Sequence, residues 1–280
     1  MLDLPAADAF DAYLVSGGLP LILDEWPARM TALDYVTEAA ADPLSALLVS
    51  GERALAAEFP PDSPARLVLG AIGTGVRTFS KIQQAAGGFS QATLIRALQL
   101  LTAKRIVEAT VPLSAKPSRE TRYAVAGPHL RFWLAFLGPH QPEIERGRGD
   151  LVTARVVASW TAWRGTAIEP VIREALRRIS DQLPGEPRAI GGYWTRNNDP
   201  EVDLIGADRE PIAKQIAFVG SINWRDNQPF DERDLADLVT HRSQVPGAEE
   251  STPLVVVTRS GTRVTSPVIL GPEALLTAWS

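Results

Sequence analysis

The 280-residue sequence predicts an α/β plus all-α chain, with a helical first half and a strand-and-helix second half. Two observations carry this. Up to about residue 104, apolar residues recur at three- and four-residue spacing between capping and breaking residues, the signature of amphipathic helices. After residue 188, short β-branched or alternating runs bracket a helical stretch, the signature of an α/β sheet domain. Composition agrees with a globular protein: 45% hydrophobic and 22% charged residues, without a stretch long enough for a membrane span.

The elements follow in order. Phe10, Tyr13 and Leu14 form a short apolar stripe that stops at Ser16-Gly17-Gly18-Leu19-Pro20, because neither Gly nor Pro continues a helix well. Helices are expected at about 31–41 and 43–58, the latter with Asp42 as N-cap and Pro43 in its first turn. Residues 1–60 thus read as one helical packing unit. In residues 61–127, helices at 64–73 and 79–86 precede the turn Gly87-Gly88-Phe89. Ser90 then caps a third helix reaching about Lys104, with Leu94, Ala97, Leu98 and Leu101 on one face. Ile106–Leu113 and Thr121–Val125 alternate as two strands, joined by the basic loop 114–120. A helix-turn-helix followed by a hairpin is a winged helix. Residues 128–149 hold an aromatic helix face (Phe132, Trp133, Phe136, Leu137), expected as core, and a polar linker. The last domain, 150–280, opens with helices at 150–164 and 170–182. Strands follow at 189–195, 201–207 and 212–224, then a helix at 231–242, a buried strand at 254–258, a short strand at 268–269 and a closing helix at 272–279. This is the order of a restriction-endonuclease-like α/β fold.

Charge is unevenly spread. Residues 1–60 carry ten Asp/Glu and two Arg, whereas residues 61–127 carry nine Lys/Arg and three Asp/Glu, inside a chain of net charge −5. The basic block coincides with the winged helix, which suggests a double-stranded DNA footprint. Gln91, Thr93, Arg96 and Gln99 lie off the apolar stripe of the third helix and are the candidates for the major groove. Lys116, Arg119 and Arg122 are the candidates on the wing. Protein docking is the competing use of such a module. Cys is absent and the three His are scattered, which excludes disulfides and thiolate zinc sites and argues against a His-based metal site. The acidic start is no signal peptide, so a cytoplasmic location is the expectation.

The chemistry-bearing pattern lies in the last domain, at Glu201-Val202-Asp203-Leu204-Ile205 and Gly220-Ser221-Ile222-Asn223-Trp224. Residues two apart share a face of a strand, which groups Glu201 with Asp203 and Ser221 with Asn223. A carboxylate pair on one strand facing an i, i+2 polar pair on the next resembles PD-(D/E)XK nucleases, in which Asp and Glu-x-Lys hold and assist a divalent metal. Here Ser and Asn stand at the Glu and Lys positions. Lys214 is nine residues before Asn223, about 30 Å along an extended strand.

More broadly, the chain resembles the C-terminal portion of archaeal-type prokaryotic AAA+ ATPases. The resemblance rests on Tyr13-Leu14 with Gly17-Gly18-Leu19-Pro20, the helix-turn-helix, Tyr123, Leu130-Arg131-Phe132-Trp133, Arg146-Gly147, Gly165 with Glu169, Trp194, and the two strand motifs. It implies a lid remnant over 1–60 and a nuclease-like tail domain, with Glu169 matching a helix acid and Asp203 the strand Asp. Metal ligation by Asp203 and Glu169, with Mg²⁺, belongs to an active version of the site. No G-x-x-x-x-G-K-[ST] occurs, so neither ATP nor any other cofactor is expected. The expected function is DNA binding or protein docking without catalysis. The alternatives are a metal-dependent DNase with a rearranged site, or a subunit of a separately encoded ATPase.

Overall fold

The computed structural model describes residues 2–280, and the chain divides into two units. The first comprises Met1–Thr110 and Arg122–Trp160, the second Val111–Thr121 and Thr161–Ser280.

In the first unit, α1 (Ala6–Ser16), α2 (Pro20–Glu25), α3 (Ala32–Ala41) and α4 (Ala46–Glu58) come first. Gly17 ends α1 in the left-handed region (φ +61°), and its N–H donates to the Tyr13 carbonyl. Thr31 caps α3 by accepting from the Asp34 N–H. The expected start of the next helix at Asp42–Pro43 is corrected: α4 begins at Ala46. Asp42 instead folds a turn, its carboxylate accepting from the Leu44 N–H, and the Ala46 N–H donates to Glu25 Oε2 at 2.7 Å. Leu14, Val15, Ile22, Val36 and Leu47 fill the core between these helices.

Next come α5 (Pro64–Gly73), α6 (Phe79–Ala85), α7 (Gln91–Ala103) and the antiparallel hairpin of β1 (Val107–Thr110) and β2 (Arg122–Val125). Ser63 and Ser90 cap α5 and α7 through the N–H groups of Arg66 and Thr93. Leu94, Ala97, Leu98 and Leu101 are buried, as the helical spacing requires, and α7 packs on α5. After α8 (Pro128–Phe132), the chain widens into a π-helical turn, Trp133–Leu137, and then α9 (Gln141–Glu145). The aromatic face is core: Phe132, Trp133, Phe136 and Leu137 are all buried. Trp133 sits where Gly51 and Gly138 leave room, since a Cβ at either glycine would lie 2.3 Å from the indole.

Helix α10 (Gly149–Ala167) begins in the first unit and ends in the second. The helix expected from residue 170 begins one residue earlier, and the one expected to end at 164 runs on to Ala167. Ile168 keeps a right-handed helical conformation, and α11 (Glu169–Arg178) starts immediately, with Glu169 in its first turn. Proline lacks an N–H, and the first turn of a helix is where that loss costs least.

The second unit is built on a five-stranded sheet in the order β3 (Ala189–Trp194), β4 (Glu201–Ala207), β5 (Ile216–Asn223), β6 (Leu254–Thr258) and β7 (Val268–Leu270). The first two pairings are antiparallel, and β5-β6-β7 run parallel. Helix α12 (Glu232–Gln244) makes the crossover from β5 to β6, opened by a capping box between Asp231 and Asp234. It packs on β4 and β5 over Ile205, Val219 and Val256. Helix α13 (Pro272–Leu276) packs on α11. The strand expected from 212 starts only at Ile216. Asp208 folds residues 213–215 into a turn by accepting from the Lys214 and Gln215 N–H groups.

The hairpin loop belongs to this unit. Leu113 is part of the sheet core, and its N–H donates to the Gly192 carbonyl. The Ala115 N–H donates to Pro246, Ser114 accepts from the Ala213 N–H, and Trp194 Nε1 donates to the Glu120 carbonyl at 2.8 Å.

Candidate functional site

The carboxylate site forms around an irregularity in β4. Gly191 pairs with Ile205 but Tyr193 with Val202, so β4 carries one extra residue, Asp203 and Leu204 opposing Gly192 alone. Val202 and Ile205 consequently enter the same core cluster. Strict alternation is broken there, and the face count that groups Glu201 with Asp203 does not describe this stretch.

The bulge turns Asp203 toward β5. Its Oδ2 accepts from the Ile222 N–H at 2.8 Å and from Ser221 Oγ at 3.2 Å. The carboxylate thus takes an N–H that a regular antiparallel ladder would pair with backbone. On the other side, Arg173 of α11 reaches the same residue. Its Nε and Nη2 donate to the Asp203 carbonyl at 3.0 and 2.8 Å, and Nη2 also donates to Glu169 Oε2 at 2.9 Å. Gly192 makes this approach possible: a Cβ there would lie 3.0 Å from Arg173 Nη2 and 3.1 Å from the Val202 carbonyl. Both side chains of the Arg173–Glu169 pair are mostly buried.

Burial pushes the Asp203 carboxyl up to about 6, and the charge of Glu169 pushes the same way. The Ile222 N–H, Arg173 and Ser221 oppose them. Asp203 is therefore a carboxylate that ionises at a cost even with three supporting groups beside it.

The structure brings together Glu169, Asp203 and Ser221. Asn223 shares the Ser221 face of β5, because pairing with β6 is unbroken from Val219 to Asn223. It is 2% exposed, and neither amide atom has a hydrogen-bond partner in the protein. Among the described residues no three His, Cys, Asp or Glu side chains gather as a metal site, so Glu169, Glu201 and Asp203 do not form a three-carboxylate set. The residues present do not fit a divalent ion of the nuclease type: Glu169 holds Arg173, and Asp203 holds a backbone N–H and a hydroxyl. Lys214 is exposed in the turn before β5, at the opposite end of that strand from Asn223.

Arg173 is the site residue that sequence reading missed. Its signal was present as an acid and an arginine four apart on one helix, a spacing that places them on the same face.

The candidate DNA contacts fall into both units. On α7, Gln91, Arg96 and Gln99 are exposed, while Thr93 is half-buried with its hydroxyl against Ser90 Oγ. Ile95 and Leu100 are exposed beside them, at 44% and 43%. Two cations of the basic block are engaged by acids of α4: Arg66 by Glu52 and Lys104 by Glu58. Lys116 and Arg119 are exposed on a loop whose neighbouring residues are built into the second unit, and Arg122 is half-buried on β2. Among the described residues no helix is long and apolar enough to cross a membrane.

Residues 133–235 match a family model, DUF234, described as archaeal and bacterial proteins of unknown function. That stretch contains Glu169, Arg173, Asp203, Ser221 and Asn223 and excludes α7. No curated protein and no solved structure matches the chain.

Proposed function

We propose that this chain is a duplex-DNA-binding protein whose nuclease-like α/β unit does not cut. The observation that carries the non-catalytic half is the internal satisfaction of the carboxylates. Glu169 is paired with Arg173, and Asp203 accepts from Ser221 and the Ile222 backbone. Phosphodiester cleavage through a metal needs carboxylate oxygens turned to the ion and a positioned cation or acid for the developing charge. Ser221 and Asn223 supply neither charge.

The binding half rests on α5–α7 with the β1–β2 hairpin, read as a winged helix. Arg96 and Gln99 project from the side of α7 opposite its buried stripe, and Gln91 is exposed in its first turn, the placement of a major-groove helix. Lys116 and Arg119, exposed on the loop that belongs to the second unit, are candidate phosphate contacts in their own right. The succession of helical unit, winged helix and nuclease-like unit suits descent from the tail of an archaeal-type AAA+ ATPase, with a separately encoded ATPase as a partner.

A second reading, protein docking through α7, is favoured by the exposure of Ile95 and Leu100 beside Arg96 and Gln99. Salt titration of duplex binding separates the two. DNA recognition predicts affinity that falls with log salt at about 0.9 per phosphate contact, and weaker binding for Arg96→Ala. Undetectable duplex binding at low salt would overturn the DNA reading.

A further inference from the structure

We infer that Arg173 is the resident cation of the carboxylate site and excludes divalent metal from it. The inference rests on the non-catalytic reading of the α/β unit and gives it a physical cause. Guanidinium Nη2 lies 2.9 Å from Glu169 Oε2 and 2.8 Å from the Asp203 carbonyl, so one nitrogen occupies the point that a cation shared by those oxygens would take. Nε holds the same carbonyl from 3.0 Å, which fixes the plane of the fork.

Three features make the arrangement a built one. The β4 bulge opposite Gly192 presents the Asp203 carbonyl to α11, where a regular ladder would hold it in register. Gly192 has no Cβ to obstruct the guanidinium. Glu169 and Arg173 are one helical turn apart, so the helix delivers acid and cation as a unit. An arginine stays charged at every accessible pH, so the Glu169 carboxylate is paired without a metal. The oxygens Arg173 holds are hard ligands, the type that takes Mg²⁺ or Mn²⁺ when a position is open.

Removing the guanidinium while keeping its apolar stem should therefore open the site. Mn²⁺ binding, read by loss of the free-ion paramagnetic resonance signal, is compared for the unmodified chain, Arg173→Met, Arg173→Lys and Arg173→Met with Glu169→Gln. Arg173→Met is expected to bind one Mn²⁺ per chain, tighter than the unmodified chain by about tenfold or more, the factor of roughly one lost opposing charge interaction. Arg173→Lys, which keeps the charge, is expected to bind like the unmodified chain, and Glu169→Gln, which removes the charged oxygen that Arg173 holds, to reverse the gain. Circular dichroism checks that each variant is folded. Should Arg173→Met misfold, Arg173→Gln carries the same expectation with a polar stem. Equal Mn²⁺ affinity in the unmodified chain and a folded Arg173→Met or Arg173→Gln would overturn the inference while leaving the DNA-binding reading intact. Failure to bind duplex DNA would overturn that reading without touching this one.

Discussion

Replacing Asp203 by Asn should stabilise the protein at neutral pH and do little in acid. The carboxyl ordinarily ionises near 3.8 and is pushed up to about 6, first by burial and then by Glu169. Between those values the folded state binds more protons than the unfolded state, so stability falls as pH rises through the window. A displacement of that size is about 3 kcal/mol of differential interaction, fully incurred above pH 6 and absent below pH 4. Asparagine keeps an oxygen to accept from the Ile222 N–H and Ser221 Oγ and carries no charge. Urea unfolding from pH 4 to 8 should show Asp203→Asn gaining on the unmodified chain by up to about 3 kcal/mol above pH 6, with the two curves converging near pH 4. A variant less stable at pH 7.5, or a difference independent of pH, would refute the assignment of Asp203 as a carboxylate ionised against its surroundings.

The remaining predictions concern the supports and the binding surface. Arg164 is 1% exposed and donates to Asp226 at 2.6 Å, and Arg259 holds the other oxygen at 2.6 Å. Asp226→Ala should cost about 2 kcal/mol in urea unfolding, below the range for a fully buried pair because Asp226 itself faces solvent. Burial raises the Asp226 carboxyl, but the two arginines outweigh it and hold it below the usual range, so its contribution persists at pH 7 and is lost only as pH falls through that lowered value. Gly192→Ala should destabilise by about 1–2 kcal/mol through crowding of Arg173 Nη2 and the Val202 carbonyl; an unchanged melting curve would count against a tight bulge. In duplex binding, Lys116→Ala or Arg119→Ala should lower the salt slope by about 1 if each contacts a phosphate.

Much of the fold was legible because local chemistry and tertiary burial agree. The Leu94, Ala97, Leu98 and Leu101 stripe placed α7, and Ser90 marked its start to the residue. The runs at 201–207 and 254–258 match β4 and β6. Expectations failed where a side chain serves the backbone in a way the pattern does not encode. Asp42 folds a turn where a cap was expected, and Asp208 delays the start of β5. The site was half legible. Glu169, Asp203 and Ser221 lie together; Glu169 was named through the resemblance alone, and the strand spacing holds on β5 but not through the bulge of β4. The β4 bulge was invisible because an extra residue in one strand shows only against its partner, at Gly192. The hairpin loop gave no sign of joining the second unit, since its attachment runs largely through backbone groups of Leu113, Ser114, Ala115 and Glu120.

The most direct test of a DNA-binding protein that does not cut is to incubate the unmodified chain with supercoiled plasmid and Mn²⁺ and run one half of the sample before and one half after protein removal. The account predicts retarded plasmid in the first half and intact supercoiled plasmid in the second. Nicked or linear plasmid that disappears with Asp203→Ala would contradict it and establish a working nuclease.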